Sequence, residues 1–124
     1  MTAAAIDVVL VDDDEDVRDA ITDRLEAAGY RVCGFSSGLD ALDWLRAAER
    51  LPPLILVDMM MPVMDGLQFR EEQIKDASLA AVPMVMLTAR HDVVCGPGVE
   101  QLRKPIKASD LIAVVARYCG PRTG

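Results

Sequence analysis

Leu54-Ile55-Leu56-Val57 is a run of four aliphatic residues bracketed by Pro52-Pro53 and Asp58. A run this short and unbroken, with no polar residue on either face, suits a parallel strand covered on both sides. Other segments repeat the pattern. Ile6 to Val11 is apolar and β-branched apart from Asp7, Tyr30 to Phe35 forms a second short run, and Pro83 to Leu87 leads into Thr88. A last short strand is predicted over Val99–Arg103. Between these runs the apolar residues change to helical spacing. From Asp16 onward they are Val17, Ala20, Ile21, Leu25 and Ala28, with Gly29 placed to close the helix. Ser36-Ser37-Gly38 reads as a turn. Leu39, Leu42, Trp44 and Leu45 mark a second helix reaching about Arg50. A third is expected to start near Asp65-Gly66 with Leu67, Arg70 or Glu71, and Ile74 on successive turns. The last is expected to carry Leu111, Ile112, Val115 and Tyr118 behind Ser109 as N-cap. Alternation of this kind folds as an α/β domain, with helices on both faces of a parallel sheet.

The 124 residues suffice for one domain, 1–124. Hydrophobic residues reach 52%, enough to fill a core, so disorder is not expected. No apolar run approaches the roughly 20 residues of a membrane span, and the N-terminus lacks the basic start and apolar stretch of a signal peptide. The net charge of −7 argues against a nucleic-acid partner, which would call for a basic face. Cys33, Cys95 and Cys119 form an odd set without metal-ligand spacing. They are expected to pack as small apolar residues in a protein of the reducing cytoplasm.

In open parallel sheets, ligands bind beyond the carboxyl ends of the strands. Those ends carry Asp12-Asp13 after the first strand, Asp58 after the third, Thr88 after the fourth and Lys104 after the fifth. Three carboxylates, a hydroxyl and an ammonium are therefore expected on one rim. Two carboxylates about 4 Å apart repel by roughly 4 kcal/mol at an effective dielectric near 20. Such a cluster calls for protons or a cation, and hard carboxylate oxygens suit Mg²⁺. An aspartate can also act as a nucleophile toward phosphorus, with a cation and a lysine spreading the charge of the transferring group.

Four segments carry a resemblance. They are Val11-Asp12-Asp13-Asp14-Glu15-Asp16-Val17-Arg18, Leu56 through Gly66 (containing Asp58-Met59-Met60-Met61-Pro62-Val63-Met64-Asp65-Gly66), Leu87-Thr88-Ala89, and Lys104-Pro105. In this order and spacing the chain resembles the response-regulator receiver domain of two-component signalling. The resemblance implies a flavodoxin-like, doubly wound five-stranded sheet of order 2-1-3-4-5. It implies that Asp58 accepts the phosphoryl group, that Asp13, Asp58 and the Met60 backbone carbonyl hold Mg²⁺, and that Asp12 acts through water. Thr88 and Lys104 would contact the phosphoryl oxygens, and the Lys104-Pro105 bond would be cis. The donor would be a sensor histidine kinase or a histidine phosphotransfer protein, and the output a changed affinity for a downstream protein. Self-phosphorylation and slow loss of the phosphate would be the only catalysis, since Met60 offers no side-chain hydrogen bond to a hydrolytic water and Arg90 could cover the phosphoryl group.

Each residue alone admits a plainer reading. Asp12 to Asp16 could be a solvated acidic entry to a helix, Asp65-Gly66 a turn, the nearby methionines loop packing, and His91 a solvated loop residue. Two departures from the family pattern stand out. Gln101 occupies the place where many receivers carry a switching Tyr or Phe. Only fifteen residues separate Thr88 from Lys104, and Gly96-Pro97-Gly98 interrupts them. The fourth helix of the family is therefore expected to be reduced or absent, with 90–98 a mobile loop or a single frayed turn. Only Cys-Gly-Pro-Arg-Thr-Gly follows the last expected helix, so no output domain is expected in this sequence. Three rivals remain: a constitutive pseudo-receiver, the receiver portion of a larger hybrid kinase, and, last, an aspartyl-nucleophile phosphatase. The phosphatase would need a second acid where Met60 stands.

Overall fold

The computed structural model describes residues 5–89 and 99–122. Within them the chain runs β1 (Val8–Val11), α1 (Glu15–Ala27), β2 (Val32–Phe35), α2 (Gly38–Ala47), β3 (Leu54–Asp58), α3 (Gly66–Lys75), β4 (Met84–Thr88), β5 (Glu100–Arg103) and α4 (Ala108–Cys119). The five strands are all parallel and lie in the order β2-β1-β3-β4-β5. This is the doubly wound, flavodoxin-like sheet, with four helices among the described residues. The segment expected to hold a shortened fourth helix, 90–98, lies outside those residues, as do His91 and Cys95.

The pleat divides the aliphatic runs between two cores. Val9, Val11, Ile55, Val57 and Met86 face α2 and α3, where Ala41, Leu42, Leu45 and Phe69 meet them. Val8, Leu10, Leu54, Leu56, Val85 and Leu87 face α1 and α4, against Ile21, Leu25, Leu111 and Val115. Period-two alternation in β1, β3 and β4 thus buries both faces, which is why these strands read as continuous apolar runs.

The helix ends explain how the chain enters and leaves the sheet. Asp14, in extended conformation, caps α1 by accepting from the Asp16 and Val17 N–H groups. At the other end Gly29 sits at φ 96°, its N–H donating to the Glu26 carbonyl while the Tyr30 N–H donates to that of Leu25. This is the left-handed termination that glycine permits. Asp65 and Gln68 form a reciprocal capping box on α3.

Three details differ from the sequence reading. α2 ends at Ala47, short of Arg50, because Ala48 turns extended ahead of the prolines. Ser109 does not cap the last helix: Lys107 is the N-cap, without a side-chain hydrogen bond, and Ser109 lies in the first turn. In α3 the buried positions are Gly66, Phe69 and Gln73, while Ile74 is exposed. The fully buried Gln73 amide donates to the carbonyls of Leu79 and Val82, so a polar residue serves as a core position and ties down the loop before β4.

Candidate functional site

All five residues singled out at the strand ends lie on the carboxyl edge of the sheet. β1 and β3 are neighbours paired through Val11 and Val57, so Asp12 and Asp58, one residue further, emerge side by side. β4 pairs with β3 through Leu87 and Asp58, and the Met59 N–H donates to the Leu87 carbonyl, which sets Thr88 along the same rim. The Lys104 N–H donates to the Thr88 carbonyl at 2.8 Å, bringing the end of β5 against β4. The Lys104-Pro105 peptide is cis.

Oxygens of Asp12, Asp13 and Asp58 all lie within 4.8 Å of one another. Asp12 is fully buried, Asp58 and Thr88 nearly so, and Asp13 is exposed. The trio is therefore open to solvent through Asp13 and closed beneath. The Lys104 ammonium stands 3.2 Å from Asp58 Oδ1 and 3.5 Å from Asp12 Oδ2. Burial and then the Asp12 charge push the Asp58 carboxyl above the ordinary carboxylate range. The Lys104 charge and hydrogen bond, with a bond from the Met60 N–H at 3.4 Å, offset this only in part. Burial opposes the Lys104 charge, yet the Asp58 and Asp12 carboxylates outweigh it and hold the ammonium above its usual pKa.

Two ligands on opposite sides of Mg²⁺ at about 2.1 Å stand about 4.2 Å apart. Carboxylate oxygens within 4.8 Å need small adjustments to meet one such ion. An all-oxygen donor set with one exposed member fits a hard divalent cation that keeps part of its water shell. Among the described residues, Lys104 is the one cation paired with the trio, and the negative charge left over is what a divalent ion would balance.

The remaining expectations divide. Met60 stands two residues past β3 with its side chain exposed, and its N–H is directed to Asp58. Asp65 is a helix cap, as its plainer reading had it. Gln101 lies exposed on β5, in register with Met86. Cys33 and Cys119 are half-buried free thiols. One contact was not foreseen: Arg18 Nη1 donates to the Asp12 backbone carbonyl at 2.7 Å. Arg18 stands six residues after Asp12, and the only sequence signal for the contact is a basic residue within an otherwise acidic helix entry.

The response regulator receiver domain family matches residues 8–116. The chain belongs to this family. It is 31% identical over 119 residues to the polar-differentiation response regulator DivK of Brucella ovis, covering 91% of this chain and 95% of that protein. It is 38% identical over 89 residues to response regulator Rre1 of Synechocystis, covering 71% of this chain but only 38% of that relative. Among solved structures, a CheY-like receiver domain protein of Methanospirillum hungatei is 32% identical with a TM-score of 0.79, covering 91% of this chain and 93% of that one. This receiver domain thus carries the acidic cluster suited to accepting a phosphoryl group beside a divalent cation. Among the described residues no helix is long and apolar enough to cross a membrane.

Proposed function

We propose that this receiver domain is a phosphorylation-driven switch in a two-component phosphorelay, with Asp58 as acceptor and Mg²⁺ as the cation. The observation that supports this most is the convergence of Asp12, Asp13, Asp58 and Lys104 at one point of the rim. Asp58 attacks the phosphorus of a phosphohistidine on a sensor kinase or histidine phosphotransfer protein. An O–P bond forms on the carboxylate and the N–P bond breaks; the ring, already protonated on its other nitrogen, takes the bonding pair and leaves as neutral imidazole. Asp13, Asp58 and the Met60 carbonyl would hold Mg²⁺ directly and Asp12 through water. When bound, the ion would neutralise charge on the phosphoryl oxygens. From its place beside Asp58, Lys104 contacts one phosphoryl oxygen, and Thr88 takes another. The changed rim then alters binding to a downstream protein, with no nucleic acid involved, in the cytoplasm. Loss of the phosphate is slow, because the Met60 side chain cannot orient a water.

The test is incubation with a small acyl-phosphate donor and Mg²⁺, followed by mass spectrometry. One added phosphoryl group, absent in Asp58→Asn, is expected. An unmodified wild-type protein would instead favour the constitutive pseudo-receiver, and labelling of Asp58→Asn would overturn the acceptor assignment.

A further inference from the structure

Asp13 is the exposed member of the acidic trio, yet the peptide groups on both its sides are held. On the C-terminal side, the Asp14 N–H donates to Asp12 Oδ1 at 2.9 Å. On the N-terminal side, the Asp12 carbonyl accepts the 2.7 Å bond from Arg18 Nη1. That carbonyl and the Asp13 N–H belong to one planar peptide unit. A charge-assisted bond on the oxygen therefore fixes the plane from which Asp13 departs.

The guanidinium reaches the Asp12 carbonyl along a defined route. Arg18 leaves the first turns of α1 and lays its stem across Gly34 of the edge strand β2. A Cβ at Gly34 would stand 3.2 Å from Arg18 Cδ, tighter than ordinary contact, and 3.4 Å from Cγ. Glycine here leaves room for the arginine, in a strand where a side chain would otherwise be favoured. The carboxyl end of β1 is thus joined by one arginine to an edge strand that supplies no residue to the acidic trio.

We propose that Arg18 is a positioning residue for the metal site, holding the Asp12–Asp13 peptide so that Asp13 faces Asp58, with Gly34 as the space that admits it. This rests on the Mg²⁺ reading above. It gives the arginine a role in metal affinity distinct from fold stability.

Mg²⁺ titration by calorimetry, paired with urea unfolding in a chelator, tests it on the full chain. Arg18→Met keeps an apolar stem over Gly34 and removes the donor. It should weaken Mg²⁺ about tenfold, the scale of losing an outer-shell partner. Arg18→Lys, which keeps a donor and the charge, should recover part of that loss. Gly34→Val should also weaken Mg²⁺ by lifting the arginine stem, while unfolding in chelator stays level or improves, since valine suits a strand better than glycine. Arg18→Met combined with Gly34→Val should lose no more affinity than the worse single variant. Unchanged Mg²⁺ affinity in Arg18→Met, or additive losses in the double variant, would overturn the proposal. Absence of Mg²⁺ binding by the wild-type protein would overturn the metal reading beneath it, which separates the two failures.

Discussion

Lys104 Nζ bridges two carboxylates from different strands, at 3.2 Å from Asp58 and 3.5 Å from Asp12. Its own backbone N–H is bonded to the Thr88 carbonyl, so the cation is tethered to β4 as well as to β5. One lysine at the end of β5 thereby joins that strand to the other three that form the rim, β1, β3 and β4. It compensates a charge cluster that the fold would otherwise hold against its own repulsion.

Lys104→Met should accordingly destabilise the protein at pH 7 without divalent ions. Removing one partner of a buried ion pair costs about 3–5 kcal/mol. The Lys104 side chain is 25% exposed, so solvent screening reduces the expected loss to about 1–3 kcal/mol. Adding Asp58→Asn removes one of the uncompensated charges and should restore part of the loss. Urea unfolding of the two singles and the double measures the coupling. Additive effects would mean that the lysine acts through packing alone.

Gly66 opens α3 directly beneath the site. A Cβ there would meet Met86 Sδ, and would stand 3.0 Å from Met59 Cα and 3.1 Å from the Asp58 carbonyl oxygen. The methionine can turn aside, but the two backbone atoms cannot move without shifting the end of β3. Gly66→Ala should cost about 1–3 kcal/mol, the range for overpacking a core. It should also lower the rate of Asp58 labelling, because the displaced strand end carries the proposed acceptor. Wild-type unfolding and labelling in this variant would show that the loop absorbs the methyl group.

The strand ends were readable because the sheet obeys two local rules. Apolar runs such as Leu54 to Val57 fix the strands, and a polar residue directly after each run must lie at its carboxyl edge. Asp12, Asp58 and Thr88 follow from that alone; Lys104 follows the largely polar strand Glu100–Arg103, and the strand order that brings the four together is implied by the family resemblance, not by the local rules. What was not readable depends on side-chain reach between elements. Ile74 matched the helical period better than Gln73, yet Gln73 is buried because it meets two loop carbonyls. Nothing in the spacing of Arg18 marks its bond to the Asp12 carbonyl, and its stem passes over a glycine in a strand sixteen residues later. Ser109 suited the N-cap by residue type, but the cap lies two residues earlier, at Lys107, and α4 begins at Ala108.

Val63 has φ 68° and is 89% exposed. A β-branched residue in the left-handed region carries a backbone cost of roughly 1–2 kcal/mol, and here almost no packing offsets it. Glycine removes that cost but orders a freer chain, which returns part of it. Val63→Gly should therefore stabilise the protein by about 0.5–1 kcal/mol in urea unfolding. A loss of stability would show that the valine side chain contributes contacts exceeding its backbone cost.

At the sheet end away from the rim, Asp7 anchors the C-terminal segment, and this sets an acid limit on stability. Its carboxylate accepts from Arg122 Nη2 at 2.9 Å, Arg122 Nη1 at 3.0 Å and the Arg31 backbone N–H at 2.8 Å. The Arg122 guanidinium also lies over the Tyr30 ring, whose hydroxyl donates to the Gly120 carbonyl. Burial acts to raise the Asp7 pKa, but the bonds from Arg122 and Arg31 and their charges outweigh it and hold the carboxyl below its ordinary 3.8. A carboxyl lowered in the folded state binds its proton more readily when unfolded. Its contribution is therefore complete well above pH 3.8, declines as pH falls through that value, and is gone below the lowered folded pKa. Asp7→Asn removes the charge yet keeps an oxygen able to accept from Arg31. The variant should melt below wild type at pH 7, and the gap should narrow steadily between about pH 5 and pH 3. Arg122→Ala should show the same narrowing, because it removes the principal partner. Differential scanning calorimetry of the three proteins across that range measures the gap. A constant difference would place the stabilisation in packing of the C-terminal segment, not in the Asp7–Arg122 pair.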